Sequence, residues 1–268
     1  MNFFDLAGTT PDVLEKIKVA EKEGRFSDHL DPLSYVGCLP VDENFPYIPG
    51  PVLAFRYWWR RTWFLKAFNA ILNRKIFKTK IFGKENLKGI KGAVYTCNHV
   101  NKFDGLVMIW ALQPKKIKIM TADFNNREGM LGDLMRADGI LPFKNTPRVA
   151  HKFNDAVKYY LKKGTGILFF PEASEWWCYE RPRPLMDGAY HYAVSNNVPV
   201  VPAFITFKLQ DKFDANGIQL RQFNIHFLKP IYPDPALDKK ANIKMMHDEN
   251  EREWWECYEQ FYGKKREE

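Results

Sequence analysis

Hydrophobic spacing predicts an alternation of helices and short strands along most of the chain. The clearest helix covers residues 146–163: Val149, Phe153, Val157 and Leu161 recur every four positions, Thr146-Pro147 opens the run, and Gly164 and Gly166 end it. Thr10-Pro11-Asp12 opens another, which runs to about Lys22 and stops before Gly24. Residues 129–137, 187–197 and 243–262 also read as helical. Between the helices lie apolar runs bounded by Gly or polar residues, the mark of buried strands: 93–97, 116–120, 167–170, 198–208 and 217–228. Residues 76–82 alternate Lys with apolar residues or Thr and read as a half-buried strand. The pattern predicts an α/β fold, a mixed sheet flanked by helices.

Two stretches depart from this pattern. Residues 26–51 hold five Pro and two Gly with little periodicity, which predicts an irregular arm laid over the domain that follows, with a flexible linker as the alternative. Residues 51–74 interleave Arg56, Arg60, Arg61, Lys66 and Arg74 with Phe55, Tyr57, Trp58, Trp59, Trp63, Phe64, Leu65 and Phe68. On a helix this makes a thick aromatic face with cationic flanks, suited to lying in a headgroup layer, with Trp58, Trp59, Arg60, Arg61 and Trp63 as membrane contacts. Packing of the same helix on the protein's own core is the alternative, and one helix can do both with different sides. The arginines are too many and too central for it to cross a bilayer. The expected layout is 1–50, an N-terminal helix and arm; 51–75, the amphipathic helix; and 76–268, the α/β domain.

Composition narrows the partners. A net charge of +8 and a pI near 9.1 favour an anionic surface or substrate. No nucleic-acid-binding signature accompanies the charge, so nucleic acid is not expected. Aromatics at 15% with eight Trp suit a membrane interface. The four Cys are scattered, which reads as reduced thiols in a cytoplasmic protein, and no His/Cys/Asp cluster has metal-ligand spacing. Met1-Asn2-Phe3-Phe4-Asp5 lacks the basic start of a secretory leader, and no uncharged apolar run reaches the ~18 residues of a spanning helix.

Residues 92–112 concentrate the chemistry. The buried strand after Gly92 runs out into Asn98-His99-Val100-Asn101-Lys102-Phe103-Asp104-Gly105, and a helix opens near Asn101 or Lys102 with Asp104 in its first turn. A strand-to-helix turn puts both side chains at the carboxyl edge of a sheet, where α/β folds keep their sites. His99 and Asp104 can then meet, the carboxylate holding one ring nitrogen while the other faces a substrate. An imidazole so held is a general base near neutral pH. His191, inside a helix, reads as packed.

Asn98-His99-(x4)-Asp104 resembles the first motif of the glycerolipid acyltransferases, typified by 1-acylglycerol-3-phosphate acyltransferases. Phe169-Phe170-Pro171-Glu172-Ala173-Ser174 is similar to that family's Phe-Pro-Glu-Gly-Thr motif, Val198-Pro199-Val200-Val201-Pro202 to its fourth motif, and Gly83-Lys84-Glu85-Asn86-Leu87 to the segment preceding the first. The matches fall in the family's order over about residues 76–231. The resemblance implies a glycerolipid-acyltransferase-like fold, with 76–268 as the catalytic domain. It also implies transfer of a fatty acyl group from acyl-CoA or acyl-ACP, with no cofactor, to the hydroxyl of a lysophospholipid-like acceptor at an anionic membrane surface. His99 would be the base, Asp104 its orienting acid, Glu172 and Ser174 part of the acceptor site, and amides near the start of the following helix the oxyanion donors.

Two departures bear on the acceptor. Where the family has Gly-Thr-Arg after Phe-Pro-Glu, this chain has Ala173-Ser174-Glu175, so an acid replaces a phosphate-binding arginine. Arg181 and Arg183 are candidate replacements, as are Lys144 and Arg148 beyond the faint second motif Gly139-Ile140-Leu141-Pro142-Phe143-Lys144. Trp176, Trp177 and Tyr179 read either as an acyl-chain entrance or as core. Alternatives to a phosphatidate-forming transferase are one with another acceptor, a catalytically silent lipid-binding relative, and a hydrolase using the same base.

Overall fold

The computed structural model describes residues 9–30 and 35–266; the reading of Met1-Asn2-Phe3-Phe4-Asp5 and residues 31–34 of the arm lie outside them. Seven strands form one sheet in the order β1-β7-β6-β2-β5-β3-β4. They are β1 (Lys80–Phe82), β2 (Val94–Cys97), β3 (Ile117–Ala122), β4 (Ile140–Phe143), β5 (Gly166–Phe169), β6 (Val200–Phe213) and β7 (Gln219–Phe227). All neighbours are parallel except β6 and β7. The sheet is therefore mixed, and β2 lies near its centre.

Alternation along the strands builds two cores. Tyr95, Leu168, Val201 and Ile205 face one side, with α1 (Pro11–Lys22) and α4 (Asp104–Ala111). Val94, Ile167, Phe169 and Val200 face the other, with α6 (Pro147–Lys162), α7 (Gly188–Asn196) and the start of α8 (Lys239–Tyr262). Val94, Ile167, Leu168 and Val201 are fully buried, each worth roughly 1.5–3 kcal/mol of apolar transfer. Trp176 and Trp177 join the first core, so they are packing residues and not an acyl-chain entrance.

Four expectations shift at their edges. The helix from Pro51 continues to Ile76: α2 (Pro51–Arg60) and α3 (Lys66–Ile71) are joined by a π-helical turn, Arg61–Leu65, and a second, Leu72–Ile76, follows. The strand expected over 76–82 is consequently only Lys80–Phe82. The unexpected β4 contains Pro142; it is the sheet's edge strand, where a residue without an N–H is tolerated. Beyond Lys208, β6 runs on to Phe213 because antiparallel β7 continues beside it. Finally, α4 opens at Asp104, since Asn101 accepts the Phe103 N–H with its side chain and the Asp104 N–H with its carbonyl.

The amphipathic helix divides its polar and apolar sides. Val52, Phe55, Trp58, Trp59, Trp63 and Phe64 are all exposed, Trp63 at 67%. Arg56 and Arg60 instead bind Asp133 of α5 (Gly129–Asp138) at 2.7 and 2.9 Å. Arg61 is half-buried beside Asp138, whose carboxyl is pushed up to about 6 by burial although Arg61 pulls it down. Arg60 and Arg61, read as membrane contacts, thus turn toward the protein, because buried or partly buried carboxylates on α5 claim them. Among the described residues no helix is long and apolar enough to cross a membrane.

Candidate active site

The carboxyl end of β2 delivers Asn98 and His99 to the sheet edge. Asn98 is fully buried, and its amide acts as a missing peptide group for β6: Nδ2 donates to the Ile205 carbonyl at 3.0 Å, and Oδ1 accepts the Ile205 N–H at 2.8 Å. This anchors the chain one residue before the imidazole. Only its place next to His99 hints at the role in sequence, because its partner is 107 residues away.

Asp104 sits at the first position of α4 and is completely buried. One carboxylate oxygen, Oδ2, lies 3.0 Å from His99 Nδ1 and accepts the N–H groups of Val100 at 2.6 Å and Asn101 at 2.8 Å. Burial pushes its pKa well above the usual carboxylate range, the two backbone bonds oppose the rise, and nearby Glu172 adds to it. The imidazole remains a quarter exposed, and the Phe170 ring stacks on it at 4.3 Å and 18°. With Nδ1 held by the carboxylate, Nε2 is the ring nitrogen turned away from Asp104. The amides expected to face an oxyanion are occupied: those of Val100 and Asn101 bind Asp104, and that of Phe103 binds Asn101.

Behind His99 lies a buried ion pair. Glu172 Oε2 accepts the His99 N–H at 2.9 Å and Arg183 Nη2 at 2.9 Å, while Oε1 accepts the Arg183 N–H at 2.9 Å. The same guanidinium donates to Ser174 Oγ at 3.0 Å and to the Phe26 carbonyl at 3.1 Å, and lies over the Trp176 ring. Glu172, Ser174 and Arg183 were expected at the acceptor; all three are instead buried and bonded to one another. The reason is chemical: a carboxylate withdrawn from water needs a cation and a donor for each oxygen, and Arg183 supplies its guanidinium to Oε2 and its backbone N–H to Oε1. The cation missing after Phe-Pro-Glu is thereby replaced from a point nine residues beyond Ser174, as a clamp on the loop.

The remaining candidates lie apart. Arg181 donates to the Arg266 carbonyl and sits over Trp255 of α8, so the C-terminal helix holds it. Arg148 is exposed and pairs with Glu43 of the arm at 3.1 Å. Lys144 is exposed just past β4, three strands from β2 and so roughly 14 Å to one side of it. Among the described residues no group of His, Cys, Asp and Glu could hold a metal ion.

The site is thus a parallel-rich α/β sheet with a His–Asp pair at the carboxyl edge of its central strand, the acid coming from the next helix. Residues 78–206 match the family model described as Acyltransferase. The fold agrees: the 1-acyl-sn-glycerophosphate (LPA) acyltransferase PlsC from Thermotoga maritima superposes with a TM-score of 0.52 at 11% identity, covering 80% of this chain and 96% of that one. No curated protein shows a significant match. Residues 78–206 thus carry an acyltransferase domain, on a fold similar to that of PlsC.

Proposed function

We propose that the protein transfers a fatty acyl group from an acyl thioester, acyl-CoA or acyl-ACP, to the hydroxyl of a lysophospholipid-like acceptor such as 1-acylglycerol 3-phosphate. The observation that carries this reading is the 3.0 Å contact between His99 Nδ1 and buried Asp104 in a partly open site. In the proposed step His99 Nε2 takes the acceptor's hydroxyl proton as the oxygen bonds to the thioester carbonyl carbon. The tetrahedral intermediate then collapses, the C–S bond breaks, and the thiolate leaves with the proton from His99. Asp104 keeps Nδ1 protonated and stabilises the imidazolium between the two transfers. No protein nucleophile is needed, because the acceptor brings its own.

The setting is proposed to be an anionic membrane surface on the cytoplasmic side, gripped by Trp58, Trp59 and Trp63. Their exposure on a helix whose Arg56 and Arg60 are committed to Asp133 supports apolar insertion as the main contact. Labelled acyl thioester incubated with purified protein and a panel of lysolipids tests the reading. Diacyl product supports it, free fatty acid alone indicates a hydrolase, and no conversion indicates a silent lipid-binding relative.

A further inference from the structure

The chain's excess charge is not spread evenly. Residues 74–91 contain seven Lys or Arg and one Glu, a net +6 against +8 for the whole chain. Arg74, Lys75, Lys78 and Lys80 open the stretch, and all four are exposed, as are the three lysines that follow down to Lys91. Among the described residues none of the seven has a carboxylate within 4.0 Å, whereas Lys16 and Lys18 of α1 and Lys244 and Arg252 of α8 each do. So many unpartnered like charges repel one another, and their close spacing favours an external polyanion.

The fold sets the first four beside the catalytic edge. Lys80 pairs with Asn224 of β7, which pairs with Thr206 of β6, one residue past the Ile205 that Asn98 grips. Three strand spacings separate β1 from β2, roughly 14 Å. Just before Lys78, Phe77 stacks on Phe223 at 4.1 Å and meets Phe103, the residue preceding Asp104. The Arg74 guanidinium lies 5.1 Å from the centre of the Trp110 ring, on the helix that Asp104 opens. The stretch thus forms a cationic rim fastened to both the sheet edge and α4.

We propose that the rim of Arg74, Lys75, Lys78 and Lys80 binds the phosphates of the acyl donor, and that this donor is a coenzyme A thioester. The inference rests on the acyl-transfer reading above. Coenzyme A carries a diphosphate and a monophosphate at one end and its sulfur at the other. Its pantetheine arm extends about 18 Å, the reach of five or six extended residues, long enough to span the roughly 14 Å from the rim to β2. Lysines and an arginine within seven positions provide point charges for several phosphate groups at once.

Titration calorimetry with free coenzyme A and with pantetheine tests the rim without any transfer step. Wild-type protein should bind coenzyme A well and pantetheine much more weakly. K75A/K78A/K80A should weaken coenzyme A binding by at least about tenfold, with thermal unfolding unchanged, since all three side chains are exposed. A control on α6, K152A/K158A, should leave it as it was. Equal binding of coenzyme A by wild type and the triple variant would overturn the proposal, as would equal affinity for pantetheine. A triple variant that loses phosphatidylglycerol vesicles or acyl carrier protein while keeping coenzyme A would also overturn it, assigning the rim to that other anion. Rim-dependent coenzyme A binding without transfer to any lysolipid would sink the enzymatic reading and leave the rim; transfer from phosphate-free thioesters only would do the reverse.

Discussion

Replacing Arg183 by Ala separates a clamp from a substrate-binding cation. The guanidinium and the Glu172 carboxylate are each about 1% exposed, at 2.9 Å. Removing the cation leaves that carboxylate buried with only the N–H groups of His99 and residue 183. It also empties the contacts to Ser174 and Phe26. Losing one partner of a buried, hydrogen-bonded pair costs about 3–5 kcal/mol. Urea unfolding of R183A should show that loss, and R183M/E172Q should recover much of it, because no charge is then stranded. Acyl transfer by R183A, measured where the variant is still folded, should fall mainly in kcat as His99 loses its backing. A stability change within about 1 kcal/mol combined with a hundredfold rise in acceptor KM would refute the reasoning and return Arg183 to the acceptor site.

Three other predictions test separate parts of the account. W58S/W59S/W63S should bind phosphatidylglycerol vesicles at least about tenfold more weakly in a flotation assay; equal partitioning would mean that this face is not the membrane contact. Asn98→Ala should cost about 2–4 kcal/mol in chemical denaturation, since the Ile205 N–H and carbonyl are both left buried and unpaired. His226, beside Thr206, is held down to about 4 by burial against an ordinary 6.5. The unfolded chain therefore binds the extra proton between those values. The stability this contributes is fully present above about pH 6.5 and is lost as pH falls toward 4, by up to about 3 kcal/mol; His226→Phe should flatten that part of a pH–stability curve.

What could be read from the sequence follows from how local each signal is. The strands at 94–97, 166–169 and 200–208 announce themselves because they are continuous apolar runs stopped by Gly or polar residues. Helix α6 does so because its apolar residues recur at one spacing. The helix was legible to residue 75, but the start of β1 at Lys80 was not, since Lys–apolar alternation from Ile76 onward reads as strand. β4 was hidden by Pro142. At the site, His99 and Asp104 are five residues apart across one turn, so their meeting follows from the strand-to-helix junction. The Asn98 clamp on Ile205 and the Glu172–Arg183 pair depend on a sheet crossover and an irregular loop. Charge alone suggested Arg183 for a phosphate; only packing shows it occupied by a carboxylate.

The central claim is that one buried acid makes one imidazole a base. Steady-state transfer by Asp104→Asn, with circular dichroism and thermal unfolding as fold controls, tests it most directly. An amide oxygen in the Oδ2 position can still accept the Val100 and Asn101 N–H bonds and face His99 Nδ1, but it carries no charge to stabilise the imidazolium that forms when the ring takes a proton. The account predicts a folded protein whose kcat/KM is lower by roughly 10³–10⁴. A folded variant within tenfold of wild type would contradict it.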